Sequence, residues 1–148
     1  MNKIVFMELL LSEHGVGSTD EKVRVVHETE PPTSVAELWS FLGLISFSSR
    51  LLPNFATTAD PLRKMTRQDT KFQWGKEENK AFEASRKQLA EASMMALYDK
   101  NAPTEVVTDT SLVGLGAILV QEQQGVKRAV LIASCSLTEV ERRYRQTD

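Results

Sequence analysis

The sequence predicts a mixed α+β fold: a helical segment followed by a three-stranded antiparallel meander with flanking helices. Three observations carry this. Glu105 to Ser134 holds three short apolar runs separated by two turn signals, the pattern of a meander. Ser18-Thr-Asp-Glu21, Ser34-Val-Ala-Glu37 and Thr138-Glu-Val-Glu141 each place Ser or Thr three residues before Glu, the capping box that opens a helix. Lys76 to about Ala92 is amphipathic, with Ala81, Phe82, Ser85 and Leu89 recurring at helical spacing and charged residues opposite.

From the start, Ile4–Phe6 and Leu9–Leu11 read as a hairpin, with Gly15-Val-Gly17 as a breaker beyond it. The first capping box opens a helix from Asp20 to about His27, ended by Glu30-Pro-Pro32. The second opens a helix to about Arg50 whose core face is Leu38, Phe41, Leu42 and Ile45. A second stripe, Trp39, Gly43 and Phe47, makes that helix apolar on more than one side, so it has two partners or one exposed binding face. Mid-helix Gly43 costs about 1 kcal/mol against alanine. Either a neighbouring helix or a ligand or nucleic-acid backbone approaches closely there. Phe55–Met65 is a short helix interrupted at Asp60-Pro61. Arg63, Lys64, Arg67 and Lys71 form a basic cluster, either a solvated face or a phosphate contact. Phe72-Gln-Trp74 alternates as a short strand does, and Tyr98–Pro103 is a loop into the meander.

The meander runs Glu105–Asp109, Gly114–Val120 and Ala129–Ser134. In the first strand Val106 and Thr108 share one face, and Glu105, Val107 and Asp109 the other. The second is apolar on both faces, as a strand covered on both sides is. Gly114 and Gly116 inside it suggest a bend, a bulge or a close approach, with turn relaxation accounting for one of them. Asp109 ends the first strand, where a carboxylate either bonds its own backbone in a turn or ligates a metal. The strand pattern alone favours the turn. The third capping box starts a helix through Tyr144, and the chain stops about two turns into it, so it looks interrupted.

The chain has 148 residues, 41% hydrophobic and 26% charged, an ordinary globular balance. A formal net charge of −2 excludes a generally basic nucleic-acid binder, so any such contact comes from local patches. Cys135 is the only cysteine, which excludes an internal disulfide and a cysteine zinc cluster. His14 and His27 fit no metal spacing and read as solvated. No membrane-length apolar run and no secretion signal is present, so an intracellular protein, cytoplasmic or nuclear, is expected.

Phe41-Leu-Gly-Leu44, Leu52-Pro-Asn-Phe55, Pro61-Leu62, Phe72-Gln-Trp74, Lys80-Ala-Phe82, Thr108-Asp-Thr-Ser111, Gly114-Leu-Gly-Ala-Ile-Leu119, Ala133-Ser134, Leu137-Thr138 and Glu141-Arg-Arg-Tyr144 follow one another in this order. Together they resemble the Pol polyprotein of gypsy-type LTR retrotransposons over nearly the whole chain. The resemblance implies the end of a reverse transcriptase palm over residues 1–30, including a hairpin that grips the primer. It implies a thumb-like helical segment over 31–70 and a C-terminally truncated ribonuclease H-like domain over 71–148.

It also implies site residues. The family's first ribonuclease H carboxylate falls on Asp109, and Trp39, Gly43 and Phe47 map onto the thumb face that lies along the duplex minor groove. The polymerase Tyr-x-Asp-Asp carboxylates would lie upstream of Met1, and the next ribonuclease H carboxylate just past Asp148. Phe6-Met-Glu-Leu stands where the family has a glycine-bearing Leu-Gly-His, and Ile45-Ser-Phe-Ser-Ser49 is poorer in aromatics. Hybrid cleavage in the intact family resembles a reaction on two magnesium ions about 4 Å apart, and one carboxylate cannot assemble that pair. The expectation is a piece of a reverse transcriptase/ribonuclease H polyprotein, inactive alone, whose parent combines nucleotidyltransferase and endonuclease activities. Its expected cofactor is Mg2+, bound weakly or not at all here. Its expected partners are an RNA:DNA hybrid or duplex nucleic acid and the rest of the polyprotein. The alternatives are a non-catalytic nucleic-acid- or protein-binding remnant, or a translated remnant without a cellular role.

Overall fold

The computed structural model describes residues 3–144. Its elements are β1 (Ile4–Phe6), β2 (Leu9–Ser12), β3 (Gly15–Ser18), α1 (Asp20–Glu28) and α2 (Val35–Ser46), with a 3-10 turn over Phe47–Leu51. There follow α3 (Phe55–Thr58), α4 (Asp60–Lys64), α5 (Lys76–Ala90), β4 (Thr104–Thr110), β5 (Gly114–Gln123), β6 (Val126–Ser136) and a 3-10 turn over Glu141–Arg143. The strands form two antiparallel three-stranded sheets, β1-β2-β3 and β4-β5-β6.

Gly15-Val-Gly17 is not a breaker: it is the third strand of the first sheet, paired with β2 from Leu9↔Ser18 to Ser12↔Gly15. Val16 also exchanges backbone hydrogen bonds with Met95 (2.8 and 2.7 Å), and Ala96 N–H donates to the Ala129 carbonyl (2.8 Å). Residues 95 and 96 thus stitch the first sheet to the second. Gly15 has φ +134° and its missing Cβ leaves room for the Met95 carbonyl, so close approach rather than chain breaking explains it. The cap of α1 is Thr19, whose side chain accepts from Lys22 N–H, and not Ser18. The second capping box forms in half: Ser34 Oγ accepts from Glu37 N–H (3.2 Å), while Glu37 reaches past the cap and accepts from the N–H and hydroxyl of Thr33 (2.7 and 2.9 Å). Those two bonds hold the Glu37 carboxyl below its ordinary value.

Other expected elements change shape. The second capped helix ends at Ser46, four residues before Arg50, and the chain tightens there into the 3-10 turn. The helix over 55–65 divides at Asp60-Pro61 into α3 and α4, as proline requires. Phe72-Gln-Trp74 is not a strand. Its two rings stack 6.2 Å apart and pack on the core, so the alternation marks aromatic anchors. In the third capping box Glu141 accepts from Thr138 N–H and hydroxyl (2.8 Å each), but it starts only a 3-10 turn, with Tyr144 already extended. Any further helix lies outside the described residues.

One apolar cluster runs through the molecule. It takes Val26 from α1, Leu38, Phe41, Leu42 and Ile45 from α2, Phe55, Ala59 and Leu62 from α3 and α4, Ala81, Phe82 and Leu89 from α5, and Ile132 from β6. Phe41 and Phe82 rings lie 4.6 Å apart and Trp74 meets Phe82 edge-on at 5.8 Å, so aromatic contacts join α2 to α5. His14 and His27 are exposed.

The meander has the expected order, but β5 is not covered on both faces. Ile118 and Ile132 face the core, with Ile132 6% exposed, while Val107 beside them on the edge strand is 52% exposed. The Val106–Leu119–Leu131 row faces outward, with Val106 65% and Leu131 54% exposed. A register shift at Leu119/Val120 bulges the β5–β6 pairing.

Candidate nucleic-acid interface

Helix α2 turns its Leu38, Phe41, Leu42 and Ile45 side inward and leaves Trp39 57% exposed. A Cβ built on Gly43 would have nothing within 4 Å. No helix of the described chain packs there, which overturns close helix packing as the reason for that glycine. Trp39 and Gly43 line one open groove of about 350 Å3, together with Leu42, Ser46, Phe55, Arg63 and Thr66. Phe47 stands apart: it begins the 3-10 turn, half-buried, with the Arg50 guanidinium 4.8 Å above its ring. The structure therefore brings Trp39 and Gly43 together, adds α4 as the opposite wall, and leaves Phe47 outside the groove lining.

The basic cluster divides. Lys64 pairs with Asp60 (2.8 Å) and Arg67 with Glu139 (2.9 Å). Arg63 has no carboxylate partner among the described residues. It donates to Ser136 Oγ at 3.4 Å and lies 5.9 Å from the Phe55 ring. Sequence reasoning placed Arg63 in a charge cluster and missed that it shares a groove with Trp39.

Asp60 anchors the wall. It is buried and accepts from Arg142 (2.8 Å) as well as Lys64, tying α4 to the turn after β6. Burial pushes its carboxyl up, but hydrogen bonds and charge from Lys64 and Arg142 outweigh this and hold it below the ordinary value.

Asp109 is the penultimate residue of β4, exposed and opposite Gly116. Its carboxylate makes no turn hydrogen bond among the described residues. Ser111 does that work: its Oγ accepts from Val113 N–H (3.3 Å) and Gly114 N–H (3.0 Å). The turn explanation of Asp109 is thereby displaced. Gly114 and Gly116 have one shared cause, the close approach of α3. A Cβ at Gly114 would lie 2.8 Å from Thr57 Oγ1, and one at Gly116 would strike Asn54 Oδ1. Neither reflects turn relaxation. Thr57 and Ser111 hydroxyls share a hydrogen bond (2.9 Å), and Ala56 N–H donates to Ser134 Oγ (3.2 Å). Helix α3 thus fixes the Asp109 corner of the sheet on one side and carries Phe55 into the groove on the other.

RNase H-like domains of reverse transcriptases use divalent metal ions. Among the described residues no three His, Cys, Asp or Glu side chains come together as a metal set. Asp109 alone does not fit a two-ion site. No helix among the described residues is long and apolar enough to cross a membrane.

Gln121 stands in a stretch, Gln-Glu-Gln-Gln, that the sequence marks only as the turn between the second and third strands. It is fully buried, accepting from Asp99 N–H (2.9 Å) and donating to the Asp99 carbonyl (2.8 Å) and Thr104 Oγ1 (2.9 Å). It clasps the loop that leads into β4.

A helical wall set against an antiparallel meander with a strand-borne aspartate belongs to a known class. Residues 74–148 match the RNase H-like domain found in reverse transcriptase, and the chain belongs to that family. It is 29% identical, over 96% of its length, to the retrovirus-related Pol polyprotein from transposon opus of Drosophila melanogaster, of which it spans 15%. It is 31% identical, over 87% of its length, to the Gag-Pol polyprotein of baboon endogenous virus (strain M7), of which it spans 7%. A foamy viral protease-reverse transcriptase in complex with double-stranded DNA superposes with TM-score 0.80 at 23% identity, covering 97% of this chain and 25% of that one. The same enzyme in complex with an RNA/DNA hybrid gives 0.78 at 23% identity, with 97% and 20% covered. These structural likenesses establish the fold. The family match and the Pol relatives make this chain a counterpart of the reverse transcriptase/RNase H region of Pol polyproteins.

Proposed function

We propose that this chain holds a nucleic-acid duplex for a reverse transcriptase/ribonuclease H polyprotein and does not cleave it unaided. The observation that carries this is the open groove of α2: Trp39 exposed and Gly43 with free space above it, on a helix whose Leu38, Phe41, Leu42 and Ile45 side is buried in the core. A shallow minor groove, lined with sugars, suits one aromatic and one residue without a side chain. Residues 1–30 serve as the end of a palm, 31–70 as a thumb and 71–148 as the nuclease-like part. Trp39, Gly43 and Phe47 are the duplex-facing residues in this reading. Asp109 is the residue that would hold Mg2+ once further carboxylates of the polyprotein stood beside it. The partners are an RNA:DNA hybrid or duplex and the remaining polyprotein, in the cytoplasm or nucleus. That solved relatives of this fold carry double-stranded DNA or a hybrid supports the reading.

The test is anisotropy binding to a labelled RNA:DNA hybrid, alongside a cleavage assay with added Mg2+. Binding should weaken as salt rises, and Trp39→Ala should weaken it roughly fivefold to tenfold, the scale of one aromatic–nucleotide contact. Phe47→Ala should weaken it less. Cleavage should be absent and unchanged by Asp109→Asn. Robust Mg2+-dependent cleavage abolished by that substitution would overturn the non-catalytic part, and absent binding would overturn the rest.

A further inference from the structure

The groove between α2 and α4 has a chemistry that α2 alone does not explain. We propose that it takes the ribose-phosphate backbone of an RNA strand, with Arg63 on a phosphate and Ser46 and Thr66 accepting from ribose 2′-hydroxyls. The inference rests on the duplex-holding function just proposed and names which strand the site selects.

Three observations converge. The first is charge: Lys64 is paired with Asp60, which Arg142 shares, and Arg67 with Glu139, while Arg63 faces the groove with no carboxylate partner among the described residues. Its planar fork keeps most of its donors free, and a phosphate is the anion that fork fits best. The second is the state of the hydroxyls. Ser46 Oγ gives its proton to the Gly43 carbonyl (3.1 Å), and Thr66 Oγ1 gives its proton to the Arg63 carbonyl (2.7 Å). Both oxygens therefore offer the groove lone pairs and no proton. A DNA sugar has no donor to meet them; a ribose has its 2′-hydroxyl. The third is room: the side-chain-free Gly43 beside exposed Trp39 lets a sugar edge lie against the helix.

The experiment uses the full chain, a labelled RNA:DNA hybrid and a labelled DNA duplex of the same sequence, titrated over a range of salt. The hybrid should bind more tightly than the duplex. Arg63→Gln should lower the slope of log K against log salt by about 0.9, one phosphate contact. Arg63→Lys should restore most of that slope, and Arg67→Gln should leave it at the wild-type value. Thr66→Val should cut the hybrid-over-duplex preference roughly fivefold, with Ser46→Ala acting in the same direction. Circular dichroism on each variant separates lost contacts from lost folding. If the wild type binds neither probe, the duplex-holding function fails and this inference with it. If it binds the hybrid but Arg63→Gln keeps the full slope, only the Arg63 assignment is overturned. Equal affinity for hybrid and duplex, unmoved by Thr66→Val, overturns the ribose assignment.

Discussion

The helical side of the molecule and the β4–β6 sheet are built to different standards. Leu38, Ile45, Leu52, Leu62 and Phe82 are fully buried. In the sheet, Ile132 is the one buried apolar side chain among the described residues, with Ile118 and Ala129 partly buried against the core, and every residue of β4 is exposed. The helices are held by packing, whereas the sheet is held by its own ladder, by contacts from α3 and the 3-10 turn over Phe47–Leu51, and by the bonds from Ala96 and Asp99. The groove thus has walls set in the packed core, while the strand that carries Asp109 is positioned by its pairing with β5, by the Gln121 bond to Thr104 and, through β5 and β6, by α3.

That contrast can be broken or sharpened by substitution, followed by chemical denaturation. Phe82→Ala should have the largest effect, about 3–5 kcal/mol, because its ring joins α2, Trp74 and α5 in the core. A small loss there would mean that the helices are no better packed than the sheet.

Asp60→Asn should come next, at about 2–3 kcal/mol, because it leaves the Arg142 guanidinium without its buried partner. Its pH dependence has a defined sign. The folded carboxyl lies below its ordinary value of 3.8, so its contribution is complete above that pH and is lost as pH falls through the folded value. The gap between wild type and Asp60→Asn should therefore be widest near neutrality and close in acid. A gap that widens in acid would refute the role given to Asp60.

The smallest effects come from a pair of glycines and should have opposite signs. Gly116→Ala drives a methyl into Asn54 and should cost about 1–3 kcal/mol, less if that side chain can swing aside. Gly43→Ala meets open space in mid-helix and should stabilise by about 1 kcal/mol. Equal effects at the two sites would mean that α3 does not press on the sheet.

The sequence was most legible where the forces are local. The core stripe of α2, the Asp60-Pro61 interruption, the Ser34 and Thr138 boxes and the order of the meander all follow from spacing within a few residues. Features set by distant partners were not legible. Gly114 and Gly116 needed Asn54 and Thr57, Gly15 needed Met95, and Gln121 needed the backbone of Asp99. The open outer face of β5 was hidden because a strand apolar on both sides reads alike whether it is covered or bare. Of the site, Trp39 and Gly43 could be read as a pair; the contribution of α4 could not, because Arg63 lies far along the chain from Trp39.

The Phe41–Phe82–Trp74 contacts join residues on either side of position 70, where the proposed thumb meets the proposed nuclease-like part. Swinging one part against the other would prise apart an aromatic seam and expose its rings to water. On the proposed division the two parts travel as one lever, with any hinge placed elsewhere, and a strand seated in the proposed groove would keep a constant bearing toward the Asp109 corner.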